Sequence, residues 1–199
     1  MTKKLLSGRP VRIYLDLHDV IAGYMLRLIS LYGWPRYPKA WTLPQMFPNV
    51  DWVRHFSEPH HSEFLRQLDP LDGAIKGVFD LQKAGLVRIL TATKPGGLSE
   101  ESTRWWVDMY LGSVLVIYLG SAVGKAAWLK RGILKYNMRA VVVDDHPVVL
   151  SQLLPVAGRI PVVRFAAPWN DYPELDSLPT ARNWDELVPL VEGLVWNMR

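Results

Sequence analysis

The sequence predicts an α/β protein: a Rossmann-like parallel sheet with helices on both faces and a small, mainly helical cap inserted after the first motif. Three observations carry this. Short apolar, β-branched runs recur along the chain, amphipathic stretches separate them, and one proline-rich segment breaks the alternation. Continuous apolar strands that alternate with helices belong to a parallel sheet covered on both sides.

The first run, Val11 to Leu15, leads into Asp16, and a helical pattern follows from Val20 to Leu31. Residues 33 to 70 then hold six prolines and three tryptophans (Trp34, Trp41, Trp52) with weak periodicity. This segment is expected to form the cap over the strand ends, leaving 1–32 and 71–199 as the core. The core resumes at Leu71 to Lys83, where Leu71, Ile75, Val78 and Phe79 repeat at helical spacing and Gly85 suits a C-cap. Strands are expected at Val87 to Leu90, Val114 to Leu119, Ala140 to Val143 and Ile160 to Phe165. The helices between them are Ser99 to Tyr110, Val123 to Tyr136 and a short one near Pro147, and Trp184 to Trp196 closes the chain.

Composition narrows the function classes. The net charge of +4 is mild and its lysines and arginines are scattered, apart from "TKK" and "KRGILK", so no stable nucleic-acid complex is expected. The absence of cysteine excludes a thiol nucleophile, a thiolate metal site and a disulfide framework, and suits a reducing compartment. No run approaches a membrane span and the N-terminus lacks a signal-peptide core, so a cytoplasmic protein without membrane contact is expected. The oligomeric state, monomer or homodimer, stays open.

The carboxyl ends of strands in an open α/β sheet are where chemistry collects. Here they carry Asp16, then Thr91 and Thr93 in "LTAT", then Asp144 and Asp145 in "VVVDDHP". "GSAVGKAAWLK" puts Lys125 in the first turn of a helix, with Lys130 as a rival. Carboxylates without nitrogen partners suit a hard cation such as Mg²⁺, and a hydroxyl with an ammonium suits phosphate oxygens. His55, His60 and His61 read as solvated, His146 as structural, and "TKPGG" as a turn without the P-loop pattern.

In this order the Asp16 motif, Thr91, Lys125 and Asp144-Asp145 resemble the four motifs of the haloacid dehalogenase superfamily, over about residues 11 to 190. Within it the chain looks most like the 5'(3')-deoxyribonucleotidase group, through the insert, the "VVVDDHP" block and the tail "PVVRFAAPWN...ARNWDELVPLV". The resemblance implies a Mg²⁺-dependent phosphatase acting on nucleoside monophosphates. Asp16 would be the nucleophile that forms an aspartyl-phosphate and would ligate Mg²⁺ together with the His18 backbone carbonyl and Asp144 or Asp145. Thr91 and Lys125 would bind the phosphoryl oxygens, and Trp41 and Trp52 could stack on a base.

The chain departs from the motif at one position. Where the family has a second aspartate two residues after the nucleophile, this sequence has His18, followed by Asp19. That aspartate protonates the leaving oxygen and then activates water. An imidazole, with a reference pKa of about 6.5, is able to do both. Three readings follow: His18 is a working acid/base; the phosphoenzyme forms but breaks down slowly or passes to another acceptor; or the chain is a non-catalytic binding domain. A phosphatase or phosphotransferase for another small phosphoester is the alternative within enzymes. Asp19 is expected to point to the other side of the loop.

Overall fold

Strands β1 (Arg12–Asp16), β2 (Leu86–Thr91), β3 (Leu115–Tyr118), β4 (Ala140–Asp144), β5 (Val162–Phe165) and β6 (Thr180–Ala181) pair in parallel, in the order β3-β2-β1-β4-β5-β6. The computed structural model describes residues 10–33, 42–136 and 138–198. The strand order reverses between β1 and β4, and a crevice at such a switch point is the usual ligand site of an open α/β sheet. The register pairs Leu15 with Val143, so Asp16 and Asp144 emerge side by side at one edge.

Alternation along the strands builds two cores. Ile13, Leu15, Ile89, Val141, Val143 and Val163 face one side, and Tyr14, Leu90, Val142 and Val162 face the other. The first side is covered by α1 (Tyr24–Tyr32), α5 (Ala74–Ala84), α6 (Gly97–Leu111) and α9 (Trp184–Asn197), and the second by α7 (Ala122–Tyr136) and α8 (Pro147–Leu153). Helices on both faces explain why the strands read as unbroken apolar runs. Gly77 of α5 lets Trp184 lie flat on that helix: a Cβ there would come within 2.1 Å of the indole. The Trp184 Nε1 then donates to the Val20 carbonyl at 2.8 Å, which ties α9 to the loop after β1.

The structure shifts two boundaries. The helix expected from Val20 begins only at Tyr24, because Asp19 Oδ1 accepts from the Met25 amide at 2.7 Å and residues 17–23 close into a tight loop. Asp19 sits at φ 59° in this loop, a left-handed conformation that Asp tolerates better than most residues. The sixth strand, Thr180–Ala181, is too short to show a period in the sequence.

Between α1 and α5 lie the short helices α2 (Leu43–Met46), α3 (Trp52–His55) and α4 (Glu58–Arg66). Met46, Phe47, Phe64 and Leu65 are buried in the same core as the sheet, and α4 packs along α6. Among the described residues no helix is long and apolar enough to cross a membrane.

Candidate active site

Asp16 ends β1 and Asp144 ends β4, and the ammonium of Lys125 lies between them. Lys125 Nζ is 2.8 Å from Asp16 Oδ2 and 2.8 Å from Asp144 Oδ2. Gly124 makes this possible: a Cβ there would stand 2.5 Å from the Leu119 carbonyl, so only glycine lets α7 start this close to β3. Asp16 Oδ1 accepts from the Leu17 amide at 2.8 Å, and Asp144 Oδ1 from the His146 amide at 2.9 Å. Asp145 Oδ2 accepts from Trp169 Nε1 at 2.8 Å, while Asn170 Nδ2 donates to the Asp145 carbonyl at 2.7 Å. His146 Nδ1 caps α8 by accepting from the Val148 amide, the structural part expected of it.

Asp16, Asp144 and Asp145 offer carboxylate oxygens within 4.8 Å of one another, and all three residues are buried. One ammonium against three carboxylates leaves an excess of two negative charges. Burial, with Asp16 as the first charged neighbour that raises it, pushes Asp145 well above the usual carboxylate range. Burial also lifts Asp144 to about 6, against the pull of Lys125. Burial opposes the ammonium of Lys125, but Asp144 and Asp16 outweigh it and hold the proton on more tightly than usual. An all-oxygen, over-negative donor set of this kind fits a hard divalent cation such as Mg²⁺.

The loop after β1 brings two more groups to the same place. His18 Nε2 is buried without a hydrogen-bond partner among the described residues, and its ring lies 5.1 Å from that of Tyr24. Burial, then the neighbouring His61 and Lys125, lowers its pKa to about 3, so the free imidazole is neutral. Asp19 borders the same cavity as Asp16 and His18; its Oδ1 accepts from the Met25 amide and its Oδ2 is buried and unpaired among the described residues. Burial raises its pKa to about 8.

Above these groups opens a cavity of about 420 Å³. Leu43, Phe56, Glu58 and His61 enter its wall from the segment between α1 and α5, and Thr93, Lys94, Ser99 and Ala122 from the core.

No protein-family model matches the sequence, and no curated protein matches it. Solved structures do. A haloacid dehalogenase-like hydrolase from Streptococcus pneumoniae superposes with a TM-score of 0.62 at 10% identity, over 91% of this chain and 98% of that one. A haloacid dehalogenase family hydrolase from Deinococcus radiodurans, with bound phosphate and sodium, gives 0.57 at 12% identity over 92% and 96%. This chain has the haloacid dehalogenase-like fold. CbbY from Rhodobacter sphaeroides, in complex with phosphate, gives 0.52 at 12% identity over 90% and 96%.

On that fold, Asp16, His18, Lys125, Asp144 and Asp145 come together as the sequence places them. Thr91 is fully buried and its hydroxyl is 2.9 Å from that of Thr93; Thr93, two residues beyond the strand, is the threonine in the cavity wall. Trp52 is not in that wall either. Its Nε1 donates to the Phe47 carbonyl at 3.2 Å and its ring stacks on Phe56, which takes the exposed place. Trp41 lies outside the described residues. The histidines read as solvated divide: His55 is buried between Tyr24 and Tyr32, and His61 lines the cavity. Trp169 and Asn170, which hold Asp145, were visible only as part of a tail, since nothing local marks an indole as a carboxylate's partner.

Proposed function

We propose that this protein is a Mg²⁺-dependent phosphatase that hydrolyses nucleoside monophosphates through an aspartyl-phosphate on Asp16. The carrying observation is the Asp16–Lys125–Asp144 chain beside Asp145 at the switch point of the sheet. Asp16, the His18 carbonyl and Asp144 or Asp145 would hold Mg²⁺, which when bound would supply charge neutralisation to the phosphoryl oxygens.

Asp16 attacks phosphorus, the bond from phosphorus to the leaving oxygen breaks, and the leaving oxygen takes its proton from solvent water. Lys125, 2.8 Å from Asp16, donates with Thr93 to the phosphoryl oxygens as charge develops there. Water then attacks the aspartyl-phosphate, gives its proton to His18 Nε2 and returns Asp16 to the free carboxylate. A neutral imidazole with an unpaired nitrogen suits this second half better than protonation of the leaving oxygen. Residues 42–70 act as the cap, and Phe56 among them offers a face on which a base stacks. The cavity volume, about 420 Å³, suits a ligand of nucleoside size. The phosphate in the Deinococcus radiodurans and Rhodobacter sphaeroides neighbours supports the substrate class. A reducing, cytoplasmic setting fits the cysteine-free sequence.

The test is a phosphate-release screen over nucleoside monophosphates and simple phosphoesters, with Mg²⁺ and with chelator. Metal-dependent release that favours nucleotides is expected. Release from none of them would leave a binding domain.

A further inference from the structure

His61 is joined to the body of the protein by a three-residue chain that crosses from α4 to α6. Glu58 Oε2 accepts from the Ser99 amide at 3.2 Å, and Glu58 Oε1 faces the Ser99 hydroxyl at 3.4 Å. His61 Nδ1 is 3.2 Å from the same hydroxyl oxygen. Serine has one hydroxyl proton, and it is directed to the carboxylate, which can only accept. The serine oxygen is therefore an acceptor towards His61, and the imidazole proton sits on Nδ1. A neutral imidazole has a single N–H, so Nε2 keeps its lone pair. Burial, then the neighbouring His55, holds the ring neutral, with its pKa lowered to about 4. Glu58, Ser99 and His61 all border the cavity that contains Asp16, beside the rings of Tyr24 and Phe56.

We infer that His61 is a specificity-determining residue: through Nε2 it accepts a hydrogen bond from an O–H or N–H of the leaving group, with Ser99 and Glu58 as positioning residues. This deepens the phosphatase reading and rests on it for the identity of the ligand. A sugar hydroxyl or a base N–H would satisfy this nitrogen, whereas a nitrophenyl group carries only acceptors. A site built to take a hydrogen bond discriminates against ligands that cannot donate one.

The experiment has two arms. In the first, ¹⁵N spectra of histidine-labelled protein are compared with those of His61→Gln to assign the ring. The Nδ1-protonated tautomer is expected, with a shift at Nε2 on adding uridine 5'-monophosphate and none on adding p-nitrophenyl phosphate. In the second, kcat/KM for uridine 5'-monophosphate is divided by that for p-nitrophenyl phosphate. His61→Phe should lower this ratio about tenfold, mainly through KM, and Ser99→Ala should lower it less. An Nε2-protonated ring, or equal losses on both esters, overturns the inference. If His61→Phe does not fold, the ratio is read in His61→Gln, where a smaller fall is expected and an unchanged ratio overturns it. If the protein hydrolyses neither ester, the phosphatase reading fails, and the tautomer with its response to the nucleotide still decides the role of His61.

Discussion

At the floor of the cavity the reactive groups stand on strand ends and on the first turn of a long helix, whereas the roof stands on helices of four to nine residues. The floor inherits its geometry from the parallel ladder: once β1 and β4 are in register, Asp16 and Asp144 have nowhere else to be. Helices as short as α2, α3 and α4 are marginal alone, so the roof depends on contacts for its shape. It uses rings (Trp52 on Phe56, His55 and Tyr24 on Phe64) and a polar seam along α6, where Ser62 meets Ser102 at 2.6 Å and Arg66 reaches Ser102 at 3.0 Å. On the proposed reading, the chemistry stands on the strand ends and the discrimination on the short helices. Changes in the floor should act on turnover, and changes in the roof on KM and selectivity.

The largest effect expected is at the nucleophile. Asp16→Asn should abolish phosphate release, by more than about 10³-fold, with the fold intact by circular dichroism. Substantial activity in that variant would remove the aspartyl-phosphate from the mechanism. At His18, replacement by Ala should slow single-turnover phosphate release by about 10²–10⁴-fold. His18→Asp should keep or increase turnover, and acid-quenched protein should show less phosphoenzyme than the natural chain.

Lys125→Met tests the floor as a structure. Removing the single ammonium leaves Asp16 and Asp144 buried without their partner, at a cost of about 3–5 kcal/mol in urea titrations. Mg²⁺ should restore more stability to this variant than it adds to the natural protein, because it replaces the missing positive charge. Equal gains would mean that the cation binds elsewhere.

The roof predictions separate two aromatic residues that touch each other. Phe56→Ala should raise KM for nucleotides about tenfold more than for glycerol 2-phosphate, which has no ring to stack, since stacking is worth about 1–3 kcal/mol per base. Trp52→Ala should lower the melting temperature and affect both substrates alike, because its indole holds Phe47 and Phe56 and does not face the cavity. A selective effect at Trp52 would reverse that assignment.

The smallest effect expected is in the pH dependence of stability. The folded pKa of His61, about 4, lies below the unfolded value near 6.5. Between these values the unfolded chain binds more protons, so the contribution of His61 is present above pH 6.5 and is lost as pH falls towards 4. His61→Gln should flatten this limb by on the order of 1 kcal/mol, read from urea midpoints in the absence of metal. An unchanged limb would mean that the ring is solvated in solution.

The sequence by itself determined the sheet, its parallel sense, the helices on both faces and the acidic cluster at the strand ends. Each of these is a local signal: a buried strand must be apolar over its whole length, and a carboxylate just beyond it is conspicuous. Asp16, Lys125, Asp144 and Asp145 were legible for that reason, and so was the departure at His18. Only the tertiary structure decided which side chains face the cavity. Thr91 and Thr93 are indistinguishable in "LTAT"; both are buried, and only the folded chain shows that Thr93 borders the cavity. Trp52 was a stacking candidate in the sequence, yet the Phe47 carbonyl accepts from its N–H and Phe56 borders the cavity instead. His61 looked solvated because "EPHHSEF" reads as a helix start with no fourth metal ligand, and its contact with Ser99, 38 residues away, is a product of the fold. Strand ends are placed by backbone hydrogen bonds that every residue carries; a roof is placed by side-chain contacts between distant segments, which no local pattern encodes.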